Sequence, residues 1–208
     1  MEVVKLTEKI WYYKNKKIDT KIFLEEIERL CSYSVDSCWH NYTNEYNPDG
    51  TKAESSVIGE VFFLKPDNDL YEKILNIFTD CLTHYLMHNN EQVSMNNLDI
   101  NPVKSRWDYS NSTLNIRRYL PGSTMSSHSD GILSLNGGGY TALFYLNDDY
   151  DGGELKFKDY NVTVKPESGS VIIFPDGTEH EVLLVKSGMR YITNGYLFKK
   201  YPSPQGIV

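Results

Sequence analysis

The sequence has 208 residues, of which 40% are apolar and 13% aromatic, and its formal net charge is −7. A chain of this length and composition can bury a core without structural metals or disulfides. Its acidic balance repels phosphates and disfavours general nucleic-acid binding, and no apolar run is long enough to span a membrane.

The first half of the sequence predicts two amphipathic helices. The first is capped by Asp19 or Thr20 and runs through 21–31. The second starts at 66–69 and continues to about Asn89, with apolar residues repeating at a period near 3.6. We expect this apolar stripe to lie along a sheet or a neighbouring helix.

Two segments in the first half are polar and irregular, and both are predicted to be loops. The first, residues 38–51, is rich in asparagine, tyrosine, proline and glycine. The second, residues 94–111, contains a tryptophan in its second half. Long loops in compact domains are often functional, so the second is a candidate for contact with a substrate.

From Ser112 onward the sequence predicts strands. Short segments rich in β-branched and aromatic residues alternate with turns that contain glycine or proline. They are STLNIRRYL, GYTALFYLN, GELKFK, NVTVK, SVIIF, EVLLV and RYITNGYLF. The predicted fold class is therefore α+β, mostly β with supporting helices. With no repeat or linker visible, we expect a single domain over residues 1–208.

The cysteines and the first residues of the sequence predict the cellular compartment of the protein. Cys31, Cys38 and Cys81 match no zinc-binding pattern, and we expect reduced thiols. The first residues lack the apolar run of a signal peptide. These observations predict a cytoplasmic protein with no membrane partner.

His128-Ser129-Asp130 carries the strongest chemical signal. In an extended segment residues i and i+2 point to the same side, so one short strand can present His128 and Asp130 to one ion. With His180 further along, two imidazoles and one carboxylate can hold divalent iron and leave its other face open. The alternative is a chance His-x-Asp in a surface turn.

Arg190 follows His180 within a predicted hairpin. If its turn centres near Ser187, His180 lies opposite Asn194 and Leu184 lies opposite Arg190. The histidine and arginine then share a face about 13 Å apart, which a five-carbon diacid plus an arginine side chain can span. The guanidinium would bind the far carboxylate with two hydrogen bonds, so the pattern predicts 2-oxoglutarate as a cosubstrate.

Residues from about 112 to 199 resemble the catalytic domain of prolyl 4-hydroxylase-type 2-oxoglutarate/Fe(II)-dependent oxygenases. The matching stretches are RRYLPGSTMSSHSD, TALFYLNDDYDGGELKF, SGSVIIFPDGTEHEV and SGMRYITNGYLF. The resemblance implies a double-stranded β-helix, a jelly-roll or cupin-like barrel with the metal at its mouth, preceded by N-terminal helices. Residues 1–111 would then supply helical support and a mobile substrate loop, and 112–199 the catalytic barrel.

The same resemblance implies a metal site. His128, Asp130 and His180 fall on the iron-ligand positions, which are also the catalytic positions. The implied cofactor is Fe(II), and the implied cosubstrates are 2-oxoglutarate and O2.

The resemblance also implies a cosubstrate site. Arg190 falls on the basic residue that pairs with the C5 carboxylate of 2-oxoglutarate, and Tyr145 matches a tyrosine that hydrogen-bonds the same carboxylate. Tyr119 matches a tyrosine that lines the pocket. For both tyrosines, packing inside the barrel is the alternative. Tyr196 departs from the family pattern, because a tryptophan is common at this position.

The function implied by the resemblance is a dioxygenase, similar to procollagen-proline 4-dioxygenase, that hydroxylates an unactivated C–H bond and releases succinate and CO2. The expected partner is a proline-containing peptide or protein held beneath the 94–111 loop. Trp107 could stack on the proline ring and Arg106 could bind a peptide carbonyl, although Trp107 could equally anchor the loop. A free amino acid, another side chain or a nucleobase stays open as the target, and so does a non-enzymatic metal-binding barrel.

Overall fold

The computed structural model describes residues 1–32, 39–43, 57–89, 98–101, 114–130 and 139–199. Within these ranges the helices are α1 (Thr20–Ser32) and α2 (Asp69–His88). The strands are β1 (Glu2–Lys5), β2 (Trp11–Lys14), β3 (His40–Thr43), β4 (Val57–Leu64), β5 (Leu98–Asn101), β6 (Leu114–Tyr119), β7 (Met125–His128), β8 (Gly139–Tyr145), β9 (Asp151–Gly152), β10 (Leu155–Phe157), β11 (Val162–Val164), β12 (Val171–Pro175), β13 (His180–Val182), β14 (Val185–Ser187) and β15 (Arg190–Lys199).

Both predicted helices are confirmed. The side chain of Asn68 caps α2 by accepting a hydrogen bond from the Leu70 backbone N–H at 2.8 Å. The buried side of α2 packs on the large sheet, where β8 and β12 lie beneath it. The approach is close, because a Cβ built at Gly195 of β15 would lie 3.0 Å from the ring of Phe78. The apolar stripe of α2 therefore faces a sheet, as predicted.

The described strands form three antiparallel sheets. The largest contains nine strands in the order β1-β2-β12-β8-β15-β6-β4-β3, with β5 also paired to β15. A second sheet has the order β11-β10-β13-β7, and β9 pairs with β14 in a third. Side chains from the two larger sheets share one apolar core, so these sheets enclose the interior of the barrel.

The large sheet is buried on both faces, and successive side chains of each strand point alternately to one face and the other. One set of side chains packs against the helices, and it includes Trp11, Tyr13, Ala142, Phe144, Val171 and Ile173. The alternating set fills the barrel, and it includes Tyr12, Leu143, Tyr145, Ile172 and Phe174. The barrel-facing set also forms one wall of the candidate site described below.

The predicted loops were wrong in part. Strand β5 lies inside the predicted loop 94–111, and β3 lies inside the predicted loop 38–51. These segments become strands because β15 and β4 supply their backbone partners, and local composition does not report such long-range pairing. Strands β1, β2 and β4 were also not predicted.

The predicted hairpin between His180 and Arg190 was wrong. β13 pairs with β7 and β10, β14 pairs with β9, and β15 pairs with β6 and β8. The chain therefore crosses from the small sheet to the large one after β13, and each part finds hydrogen-bond partners in earlier strands. As a result His180 lies opposite His128, and Asn194 lies opposite Asn115 and Leu143.

The expectation of three reduced thiols was also wrong, because Cys31 in the last turn of α1 is disulfide-bonded. Sequence spacing does not report the distance between two sulfur atoms. Cys81 of α2 is a free, buried thiol, and burial raises its pKa to about 12. Cys38 lies outside the described residues. Neither helix in the described ranges is long and apolar enough to cross a bilayer.

Candidate metal centre and cosubstrate pocket

The candidate metal ligands meet where two strands of the small sheet pair. His128 ends β7 and His180 begins β13, and these two residues are directly opposite each other in the antiparallel register. Their ring centroids are 4.3 Å apart. Asp130 follows two residues after His128 and turns its carboxylate toward both rings. The pairing of β7 with β13 thus brings His128 and His180 together, although they are far apart in the sequence.

The ligand atoms of these three residues are close enough to share one ion. Nε2 of His128 lies 3.7 Å from Oδ1 of Asp130, and Nε2 of His180 lies 3.9 Å from Oδ2. One candidate ligand atom from each residue can be chosen such that all lie within 4.8 Å of one another. No other group of this kind occurs among the residues that the structure describes.

Hydrogen bonds to the backbone select the tautomer of both histidines. Nδ1 of His128 lies 2.9 Å from the carbonyl oxygen of Ser126, and Nδ1 of His180 lies 2.9 Å from that of Thr178. A carbonyl oxygen can only accept, so each Nδ1 carries a proton, and in the neutral form of each ring the lone pair is then on Nε2, the nitrogen nearer Asp130. Burial lowers the pKa of His180 more than the Asp130 charge raises it.

With both rings neutral, two Nε2 lone pairs and a carboxylate converge at one point. This arrangement is electrostatically unfavourable by itself, and a divalent cation would stabilise it. Two imidazoles and one carboxylate on one side of an ion match the ligand set of non-haem Fe(II) oxygenases. The donor set of this structure thus fits Fe(II).

Both oxygens of Asp130 are oriented by the large sheet. The Thr141 hydroxyl donates a hydrogen bond to Oδ2 at 2.8 Å, and the Tyr196 hydroxyl donates to Oδ1 at 3.5 Å. Thr141 and Tyr196 face each other across β8 and β15. These contacts were missed at the level of the sequence, although strand alternation places Thr141 on the same face as Tyr145.

We expect Thr141→Val to weaken Fe(II) binding roughly 10-fold or more, because hydrogen bonds to metal ligands commonly change metal affinity by about 10- to 100-fold. The substitution keeps the side-chain shape and removes only the hydroxyl donor. Anaerobic titration calorimetry measures the affinity. Thr193→Val is the matched control, since this buried hydroxyl of β15 has no hydrogen-bond partner among the residues described, Asp130 included. Equal Fe(II) affinity in the Thr141 variant and the original protein would contradict this role.

The second part of the site is a buried arginine side chain at the start of β15. Arg190 is 0% exposed, and its guanidinium lies 4.9 Å from the ring centroid of Tyr119 and 5.2 Å from that of Tyr145. Its Nη2 donates to the Tyr145 hydroxyl at 3.4 Å. Gly153 adopts a positive φ of 65°, and a Cβ there would lie 3.0 Å from Cδ of Arg190. A side chain at 153 would therefore displace the arginine.

This arginine lacks an anionic partner among the described residues. Its Nε and Nη1 atoms are buried without a hydrogen-bond acceptor, and its polar neighbours are tyrosine hydroxyls. Burial lowers the pKa of Arg190, but the tyrosines Tyr145, Tyr150 and Tyr119 more than offset this effect, so the guanidinium stays charged. Because an unpaired buried charge is costly, the pocket is electrostatically prepared for an anion.

One pocket joins the two parts. It is lined by the three candidate metal ligands together with Tyr119 and Arg190. Tyr145 borders the same interior through its contact with the guanidinium, and burial raises the pKa of its hydroxyl, which therefore stays protonated and can donate. All six predicted residues of the metal and cosubstrate sites are thus brought together. Arg106 and Trp107, the predicted substrate contacts, lie outside the described residues.

Comparison with known proteins agrees with this arrangement. Residues 114–198 match the family model described as the 2OG-Fe(II) oxygenase superfamily. This stretch is somewhat less than half of the chain, and it is the part that is similar to that superfamily. Fe(II), 2-oxoglutarate and O2 are the cofactor and cosubstrates that the superfamily uses, and the His-Asp-His group supplies a ligand set for the iron.

The curated relatives match this chain over a short segment. Mouse prolyl 3-hydroxylase 2 is 43% identical over 58 residues, which cover 24% of this chain and 8% of that protein. The match therefore spans less than a tenth of the length of this relative.

Solved structures match this chain over nearly its whole length. The viral collagen prolyl hydroxylase of Paramecium bursaria Chlorella virus-1, in complex with 2-oxoglutarate, is 17% identical with a TM-score of 0.61 and covers 93% of this chain and 97% of that one. A prolyl hydroxylase of Trichoplax adhaerens, in complex with a peptide from the hypoxia inducible factor, is 17% identical with a TM-score of 0.62 and covers 93% and 84%. These likenesses confirm the predicted double-stranded β-helix.

Proposed function

We propose that the protein is an Fe(II)- and 2-oxoglutarate-dependent dioxygenase that hydroxylates a peptidyl proline and releases succinate and CO2. The observation that carries this proposal is one pocket with two complementary ends. At one end two imidazoles and a carboxylate converge, and at the other a buried guanidinium has no anionic partner within the described part of the chain. A cation at the first end and a dicarboxylate between the two ends would satisfy both.

In this proposal His128, Asp130 and His180 hold the iron. Arg190 and Tyr145 bind the C5 carboxylate of 2-oxoglutarate, and Tyr119 packs against the guanidinium. When bound, Fe(II) and 2-oxoglutarate would activate O2, of which one atom would enter the substrate and the other the succinate. The chain itself contributes orientation and a water-poor pocket, since Arg190 and Tyr145 are both 0% exposed. No separate acid or base is needed.

The choice of proline as substrate is supported by the relatives. A prolyl 3-hydroxylase shares a sequence segment with this chain, and two prolyl hydroxylases share its fold. One of these holds a peptide, which is consistent with a proline-containing peptide or protein as the partner here. Arg106 and Trp107 stay proposed contacts to that substrate. We also propose that residues 1–208 act as one domain, with the first 111 residues supporting the barrel.

The test is to incubate the purified protein with Fe(II), 2-oxoglutarate and a panel of proline-containing peptides. We expect stoichiometric succinate and a proline residue that gains the mass of one oxygen atom. Fragmentation and comparison with 3- and 4-hydroxyproline standards would identify the carbon that reacts. Succinate without any oxidised peptide would refute the proline assignment and direct the search to free amino acids, other side chains or nucleobases. Absence of succinate under all these conditions would favour a non-enzymatic metal-binding barrel.

A further inference from the structure

Asn194 is a buried polar residue in the pocket whose amide has no hydrogen-bond partner. The residue is 1% exposed, and neither Nδ2 nor Oδ1 is bonded within the part of the chain that the structure describes. It lines the same pocket as the candidate metal ligands and Arg190. A buried amide without partners loses its bonds to water and gains none in return, so a ligand group is expected to meet it.

The position of Asn194 along β15 places it between the two ends of the pocket. Side chains two residues apart on a strand share a face, and Arg190, Ile192, Asn194 and Tyr196 all line the pocket. Arg190 and Asn194 are separated by four residues of strand, or about 13 Å between Cα atoms. Tyr196, the next residue on this face, already contacts the metal-ligand residue Asp130. A diacid that joins Arg190 to the metal ligands must therefore pass Asn194.

The charges around Asn194 favour an anion at this point. Arg117 of β6 lies opposite Ile192 and lines the same pocket, so the described lining residues include two guanidinium groups and one carboxylate, that of Asp130. Binding of a divalent cation would make the pocket still more positive. The group that meets the amide is therefore expected to be an oxygen with negative charge, to which Nδ2 can donate.

We infer that the amide nitrogen of Asn194 donates a hydrogen bond to the C1 carboxylate of 2-oxoglutarate, which is the end of the cosubstrate nearer the metal. Arg190 would hold the C5 carboxylate at the opposite end. This inference rests on the proposed function, and it adds a second contact that fixes the orientation of the cosubstrate. It makes Asn194 a binding residue for the cosubstrate.

A structural role for Asn194 is the competing explanation, and the chain offers a matched control for it. Asn115 of β6 lies directly opposite Asn194, is also buried, and its Oδ1 also lacks a partner. Unlike Asn194, it is not among the residues that line the pocket. If the two amides serve only to pack β6 against β15, Asn115→Leu and Asn194→Leu should have similar effects.

The experiment measures the affinity of the Fe(II)-loaded protein, without oxygen, for 2-oxoglutarate and for 2-oxobutanoate by titration calorimetry. 2-Oxobutanoate keeps the C1 carboxylate and the keto group but lacks the C5 carboxylate. We expect Asn194→Leu to bind both acids roughly 10- to 100-fold more weakly, as for the loss of a hydrogen bond to a charged group. Arg190→Gln should weaken only 2-oxoglutarate, and Asn115→Leu should leave both affinities unchanged.

A second variant isolates the donor. Asn194→Asp has the same size but replaces the donating NH2 by an oxygen, so at neutral pH it should bind 2-oxoglutarate more weakly than Asn194→Leu does. If Asn194→Leu fails to fold, which thermal unfolding would reveal, Asn194→Asp tests the inference in its place. Unchanged 2-oxoglutarate affinity in the folded Asn194 variants overturns the inference, and so does a loss that is absent for 2-oxobutanoate. If the Asn194 inference fails in this way but Arg190→Gln still weakens 2-oxoglutarate binding, the proposed function stands. If the original protein does not bind 2-oxoglutarate at all, both the inference and the proposed function are refuted.

Discussion

Replacing His128 with alanine is expected to abolish the conversion of 2-oxoglutarate to succinate. The substitution removes one of three converging ligands and leaves a bidentate His-Asp pair, which cannot hold Fe(II) on one face of the ion. We expect Fe(II) affinity to fall by more than about 100-fold, since loss of even an outer hydrogen-bond partner can cost that much. Calorimetric titration with Fe(II) and a succinate assay measure the two effects independently.

The same experiment has an internal control in His88→Ala. His88 lies in the last turn of α2, outside the pocket, and its Nδ1 contacts the carbonyl oxygen of His84. This variant should keep the Fe(II) affinity and the succinate yield of the original protein. Fe(II) should also raise the melting temperature of the original protein, because a bound cation offsets the repulsion among the converging lone pairs and carboxylate. The melting temperature of His128→Ala should not respond to Fe(II) in this way. Retained Fe(II) affinity in His128→Ala would refute the proposed metal site.

Arg190→Gln is expected to separate cosubstrate binding from stability. Truncating one partner of a buried, hydrogen-bonded charge pair typically costs about 2–5 kcal/mol, so 2-oxoglutarate should bind at least roughly 30-fold more weakly. Without ligand, however, the guanidinium is a buried charge with no anionic partner among the described residues, and a neutral side chain removes the cost of burying it. The same substitution removes the favourable contacts with Tyr119 and Tyr145, which oppose that gain. We therefore expect the ligand-free variant to differ little in stability from the original protein.

Arg118→Gln is the matched control for this prediction. Arg118 is the neighbour of Tyr119 on β6, but its side chain points to the opposite face, where it pairs with Glu60 and lies over the Trp39 ring. Its replacement should reduce the free energy of unfolding and leave 2-oxoglutarate affinity unchanged. Chemical denaturation and calorimetry, performed on both variants, measure these quantities. The cosubstrate role of Arg190 would be contradicted if both variants bound 2-oxoglutarate as tightly as the original protein.

The sequence predicted some residues of the site for the right structural reason and others for a wrong one. His128 and Asp130 are two residues apart, and strand alternation alone is enough to predict that both side chains reach one point. The assignment of His180 and Arg190 to the same pocket was also supported by the structure, although the hairpin invoked for it does not exist. These two residues belong to different sheets, and they meet because β13 pairs with β7 while β15 pairs with β6 and β8.

Thr141, Asn194 and Asn115 show what local patterns leave out. Each lies in a segment that was recognised as a strand, and alternation gives the face on which its side chain lies. Alternation does not give the hydrogen-bond partner. Thr141 bonds Asp130, whereas the amide of Asn194 and the side-chain oxygen of Asn115 have no hydrogen-bond partner in the described residues. Hydrogen-bond satisfaction depends on which strands are neighbours, and this is a property of the assembled sheets.

The sequence by itself determined the local elements and the chemistry: two amphipathic helices, strands of period two after residue 112, an imidazole and a carboxylate at i and i+2, and the resemblance to a family that binds iron. These features depend on the order of residues within a few turns or strands. Only the tertiary structure decided the pairing of β7 with β13, the strands at 2–5, 11–14 and 98–101, and the burial of Arg190 away from any carboxylate of the described residues. The reason is that strand pairing and burial are set by contacts between segments far apart in the chain, and the local sequence of one segment does not contain its partner.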